Sequence, residues 1–181
     1  DTSLEQLKKD ADILFSRVDF VRKLKLLGGE VFLYPYLGEY LTYLGENYGD
    51  KIGEIRLGTN GTIFPSKDIL KICRNCGAII DVSDYSIAVK GTYNLEKCVE
   101  YFRGNGLAVD VKRTGEKWLD MGFPEVRPSK RTDEENQWHF FHCAMFCRQF
   151  AKGKFYFCCS NYAAVRGGFF PDDENNYFDF Y

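Results

Sequence analysis

The sequence predicts an α/β protein built on parallel strands. Two observations carry that expectation. Strand-like and helix-like runs alternate from residue 24 to residue 113, and successive strand candidates end in small, polar or acidic residues. Alternation of this kind implies right-handed βαβ units, arranged as an open sheet or a barrel.

Residues 3–23 open the chain with Ser3 as an N-cap and apolar residues at 4, 7, 11, 14, 15 and 18, a helical spacing. LKLL (24–27) is a short β run. After Pro35, the positions of Leu37, Leu41 and Leu44 predict a second helix that stops near 47–49. IGEIRLGTNG (52–61) reads as a strand running into a glycine turn, and PSKDILKICRNCG (65–77) as a helix. AIIDVSDY (78–85) is the next strand, YNLEKCVEYFRGNG (93–106) a helix, and LAVDVKR (107–113) a further strand. From Thr114 the periodicity fades, and RPSKRTDEENQ (127–137) is expected to be a solvated charged loop. RQF and KFYF then face each other across AKG as a hairpin, with Gly153 at the tight position. The tail FFPDDENNYFDFY lacks calcium-loop spacing and reads as a surface loop with a short strand or docking segment.

Composition narrows the function classes. A formal net charge of −2 argues against nucleic acid as an electrostatic partner. No apolar run approaches the roughly 20 residues that span a bilayer, so no membrane association is expected. With no basic-then-apolar leader at residue 1, a soluble, cytoplasmic protein is the expectation.

In parallel α/β proteins, ligands gather at the carboxyl ends of the strands, where loops converge. The residues there are Gly28, Gly29 and Glu30, then Thr59 and Asn60, then Ser83 and Asp84. Two residues without a Cβ let a ligand lie against backbone carbonyls, and Glu30 can add a charge-assisted bond to an ammonium group. The same triplet also fits a tight turn, with Glu30 exposed or capping the next helix. Thr59, Asn60, Ser83 and Asp84 likewise suit turns and caps.

Seven cysteines stand at 73, 76, 98, 143, 147, 158 and 159. Four within seventeen residues suggest metal chemistry rather than a disulfide scaffold. Cys143 and Cys147 are four apart, and the hairpin returns Cys158 or Cys159 across Gly153. Read as strand neighbours, these last two face opposite sides, so one of them ligates and a fourth ligand comes from the other after a bend, from His139 or His142, or from elsewhere. Iron–sulfur and tetrahedral zinc both accept such a set. Cys73 and Cys98 are expected in the core, Cys76 in a turn.

Taken in order, GGE, TNGT with its following Pro-Ser, and a strand ending SDY resemble the radical SAM superfamily, in particular members with twitch or SPASM cysteine regions. The resemblance covers the whole chain, with GGE and the cysteine hairpin as its specific motifs. It implies a partial (β/α) barrel of parallel strands over residues 1–128 and a small cysteine-containing β-hairpin extension over 129–181. It implies S-adenosyl-L-methionine as cofactor, its amino group at Gly28, Gly29 and Glu30, with Thr59, Asn60, Ser83 and Asp84 lining the same cavity. It further implies an auxiliary [4Fe–4S] cluster on Cys143, Cys147, Cys158 and Cys159, an external reductant, and hydrogen-atom abstraction from an unidentified small-molecule or peptide substrate. The family follows GGE with proline where this chain has Val31. Residues 1–27 hold no cysteine, so the family's Cys-x3-Cys-x2-Cys cluster loop is missing from this stretch. The expectation is a fragment whose cluster loop lies upstream and which does not generate the radical alone. The alternative is a non-catalytic interaction module with structural zinc in the hairpin.

Overall fold

The computed structural model describes residues 2–86, 94–113, 130–142 and 148–181, which fall into two compact units, 1–118 and 119–181. The first unit carries a four-stranded parallel sheet and the second a separate three-stranded antiparallel sheet. Among the described residues, no helix is long and apolar enough to cross a membrane.

In the first unit, helix α1 spans Leu4–Arg17, with the Ser3 hydroxyl accepting from the Gln6 amide. It is shorter than its apolar spacing suggested. After Arg17 the backbone turns extended at Val18, and strand β1 takes Val21–Leu26. Pairing with strand β2 (Ile52–Thr59), from Val21 beside Ile52 to Leu26 beside Leu57, outweighs the helical period here. Helix α2 (Leu37–Tyr48) joins these strands, helix α3 (Lys67–Asn75) leads to strand β3 (Ile79–Asp84), and helix α4 (Leu95–Gly104) leads to strand β4 (Ala108–Arg113). Ser66 and Asn94 cap α3 and α4 with their side-chain oxygens, contacts worth about 1 kcal/mol each.

The strand order β1-β2-β3-β4 follows the sequence. For successive parallel neighbours, the usual right-handed connection puts α2, α3 and α4 on one face of the sheet, and burial agrees. That face is the core. Ile55, Leu57, Ile80 and Val82 are buried there together with Leu41, Leu44, Leu70, Cys73, Cys98 and Phe102, each large apolar side chain contributing about 1.5–3 kcal/mol. Helices α2 and α3 approach closely, since a Cβ on Gly38 would stand 3.0 Å from the Cδ1 atoms of Ile69 and Ile72.

Burial gives the two core thiols a testable chemistry. It pushes Cys73 up to about 12 and, aided by the Glu30 carboxylate, Cys98 up to about 11. The fold therefore favours the neutral thiols. Their contribution to stability is full below the unfolded thiol value of about 8.5 and is lost as pH rises through their folded values. Iodoacetamide at pH 8 is expected to label the half-buried Cys158 and Cys159 of metal-free native protein well before Cys73 and Cys98, a pattern read by peptide mass spectrometry.

The second unit opens with helix α5, Asp133–Phe141, where the charged composition suggested a loop. The Thr132 hydroxyl accepts from the Glu135 amide, and the Glu135 carboxylate accepts from the Thr132 amide, a reciprocal cap that starts the helix. Strands β5 (Gln149–Ala151) and β6 (Lys154–Tyr156) form the expected hairpin. Lys152 and Gly153 at its tip have φ of 54° and 72°, the two positive values that a two-residue loop of this twist requires. Helix α6 covers Cys159–Arg166, and strand β7 (Tyr177–Asp179) closes the sheet beside β6. The tail thus supplies a paired strand rather than a free docking segment. Lys154 braces this sheet, donating to Asp172 at 2.6 Å and to the Tyr177 hydroxyl at 2.9 Å.

Candidate functional site at the strand ends

Gly28, Gly29 and Glu30 follow β1, Thr59 ends β2 with Asn60 just beyond, and Ser83 and Asp84 end β3. All seven residues therefore stand along one edge of the parallel sheet. Register sets Thr59 beside Val82, Ser83 beside Lys112 and Asp84 beside Arg113.

Glu30 is the centre of this group. Its Oε2 accepts from the Thr59 hydroxyl at 2.8 Å and from the Asn60 amide at 2.9 Å, and its Oε1 accepts from the Phe32 amide at 3.1 Å. The last bond caps the short 3-10 turn Val31–Leu33. Glu30 thus does cap the following turn, as one expectation held, and it also ties the ends of β1 and β2 together. Val31, where the resembled family has proline, is buried as the first residue of that turn.

Three donors occupy three of the roughly four acceptor positions that a carboxylate offers. Among the described residues, no Lys or Arg forms an ion pair with Glu30. Cys98, the ionisable neighbour that Glu30 influences from α4, stays neutral. A half-buried carboxylate, held in place and without an ion pair among the described residues, is electrostatically matched to a positively charged ligand.

The glycines beside it are free of internal duties. Both are exposed, and neither lies in the left-handed region. A Cβ on Gly29 would meet nothing within 4 Å, and one on Gly28 only the Glu30 backbone at 3.9–4.0 Å. Neither a positive φ nor packing against the described residues demands glycine at these positions. The chain does bend at both glycines, as the turn reading held, and their exposed backbone lies next to Glu30.

The other expected site residues have partners within the fold. Thr59 is only 2% exposed, and its hydroxyl also accepts from the Gly61 amide at 3.0 Å. Its side chain is turned into the fold rather than out to a ligand. The Asn60 side chain accepts from the amide and hydroxyl of Thr62, and Asp84 accepts from the Ser86 amide. Ser83 shares its sheet face with Asp81. A depression of about 500 Å³ elsewhere on this unit, lined by Lys8, Thr42, Ile69 and Ile72 among others, includes none of these residues.

The chain matches no family model and no curated protein.

The face of the sheet opposite the helices carries a charged group that the expected site did not include. Asp81 is nearly buried there, holding Lys25 at 2.7 Å and the Arg56 guanidinium. Arg56 also donates to Asp110 through two nitrogens at 2.8 Å and to Glu54 at 2.7 Å. These contacts hold Glu54 and Asp110 below the usual carboxylate range and push Arg56 further up. The signal was present in the strands themselves. A parallel strand covered on both faces reads as a continuous apolar run, whereas KLKL, EIRLG and AVDVK place charges at alternate positions and IIDVSD sets Asp81 between apolar neighbours.

Of the expected metal ligands, Cys143 and Cys147 lie outside the described residues. Cys158 is not on a strand, as the hairpin reading assumed. It is the N-cap of α6, with extended backbone, and Cys159 is the first helical residue. The opposite-faces argument therefore does not apply to this pair. Among the described residues, no group of three His, Cys, Asp or Glu side chains could hold a metal ion. His142, the C-cap residue of α5, stacks on Trp138 at 4.2 Å, and its Nδ1 lies 2.8 Å from the Trp138 carbonyl.

Proposed function

We propose that this chain is part of a radical SAM enzyme, that its parallel sheet belongs to a partial (β/α) barrel, and that S-adenosyl-L-methionine binds against Gly28, Gly29 and Glu30. What supports the reading is one observation above others: two exposed glycines, whose added Cβ atoms would meet no side chain of the described residues, adjoin a carboxylate that forms no ion pair with any described Lys or Arg. The residues fit the cofactor. The outward backbone lets its methionyl part lie close, and the open acceptor position on Glu30 takes the ammonium group. Bound here and given one electron from a reduced iron–sulfur cluster, this cofactor would release methionine and supply the radical chemistry for removing a hydrogen atom from a substrate. The residues of this chain bind and orient. Glu30 holds the amine, while Asn60, Ser83 and Asp84 border the same edge, where the rest of the cofactor and the substrate would lie.

A bulky residue at Gly29 separates ligand contact from stability. Gly29→Val is expected to leave the thermal midpoint within a few degrees of wild type, because the new side chain meets open space. It is expected to weaken S-adenosylmethionine binding by at least about tenfold, measured by equilibrium dialysis. Unchanged binding in a folded variant would overturn the reading.

The same proposal gives Cys143, Cys147, Cys158 and Cys159 an auxiliary [4Fe–4S] cluster. Its support is the hairpin, which brings Cys158 and Cys159 to the start of α6 where both are partly exposed. Anaerobic reconstitution with iron and sulfide is expected to give a brown protein that loses its colour in Cys158→Ser. A colourless protein retaining one zinc would replace the cluster with a structural zinc site.

A further inference from the structure

We infer that Thr59 is a positioning residue, which aims the Glu30 carboxylate and thereby sets the preference of this site for ligands bearing an amine. The inference rests on the reading of Glu30 as the ammonium seat and assigns Thr59 a different part from direct contact with the ligand. Its hydroxyl is buried, donates to Glu30 Oε2 at 2.8 Å, and accepts from the Gly61 amide at 3.0 Å. One side chain therefore joins the carboxylate to the loop after β2. The Asn60 amide binds the same Oε2, so that oxygen is anchored on the β2 side, while Oε1 carries the Phe32 bond and the open acceptor position. A carboxylate without these anchors rotates about its terminal torsion, which is broad and soft. Anchoring Oε2 consequently fixes where Oε1 points. Thr59 never meets the ligand, yet its loss changes how well the carboxylate meets a cation.

The test compares S-adenosylmethionine with 5′-methylthioadenosine, which shares the nucleoside and sulfur but lacks the amino acid portion, and includes S-adenosylmethioninamide so that the amine can be judged without the carboxylate. Dissociation constants are measured for wild type, Thr59→Val and Thr59→Ser. Wild type is expected to favour the two amine-bearing ligands by at least about tenfold, as a charge-assisted hydrogen bond provides. Thr59→Val, which keeps the Asn60 and Phe32 amide bonds, is expected to lose about threefold or more of that preference while binding methylthioadenosine about as well as wild type, and Thr59→Ser to restore it. A merely structural role would weaken all three ligands together and leave the ratio unchanged, which would overturn the inference while leaving the Glu30 reading in place. Absence of the preference in wild type would overturn both. Should Thr59→Val fail to fold, Thr59→Ala takes its place, and preference equal to wild type in that variant would likewise refute the role of the hydroxyl.

Discussion

Asp81→Ala is expected to destabilise the first unit by about 3 kcal/mol, the largest stability effect of any single substitution on the sheet face opposite the helices. The Asp81 side chain is 3% exposed and binds both Lys25 and Arg56. Lys25 can turn towards water when its partner is lost, because 38% of its side chain is already exposed. Arg56 cannot do so as readily, with 12% exposure and its other donors committed to Glu54 and Asp110. The substitution leaves part of a buried guanidinium unsatisfied, and a domain of this size has only about 5–15 kcal/mol in total to lose. Urea denaturation followed by circular dichroism measures the change in midpoint at constant slope. Asp81→Asn, which keeps one acceptor oxygen, is expected to lose less. A loss under about 1 kcal/mol in Asp81→Ala would mean that Arg56 finds sufficient partners without it.

Glu30→Ala is expected to have the largest effect on ligand binding. On the proposed reading, removing the carboxylate eliminates a charge-assisted bond to the ammonium group, worth about 1.5–3 kcal/mol, so S-adenosylmethionine affinity should fall by about 10- to 100-fold. The same change orphans the Thr59 hydroxyl and the amides of Phe32 and Asn60, so a stability loss of about 1–3 kcal/mol should accompany it. Isothermal titration at a temperature well below the melting transition distinguishes the two. A variant that is folded and binds with wild-type affinity would remove Glu30 from the ligand site.

Much of the fold was written in local pattern, and the departures have physical reasons. The βα alternation announced the parallel sheet because strand and helix periods differ so plainly between IGEIRLG and KDILKIC. The end of the first helix was misplaced because Val21–Leu26 carries charges that suit either a helix face or an open-faced strand, and only pairing with β2 decides between them. Helix α5 was missed although Thr132 and Glu135 stand at the spacing of a reciprocal cap, a local signal hidden by the charge around it. At the candidate site, sequence order brought Glu30, Thr59 and Asn60 to one edge. It could not reveal that Thr59 turns inward to hold Glu30, since that bond joins residues 29 positions apart. Nor could it show that Gly29 has space around it, a property of the folded surroundings rather than of the residue.

The most direct test of the account is a crystal structure of the chain with S-adenosylhomocysteine, an unreactive relative of the proposed cofactor that retains its amine. The account predicts the amino nitrogen within hydrogen-bond distance of Glu30 Oε1, with the amino acid portion lying along the backbone of Gly28 and Gly29. A ligand seated elsewhere, with the Gly29 peptide still facing solvent, would contradict it.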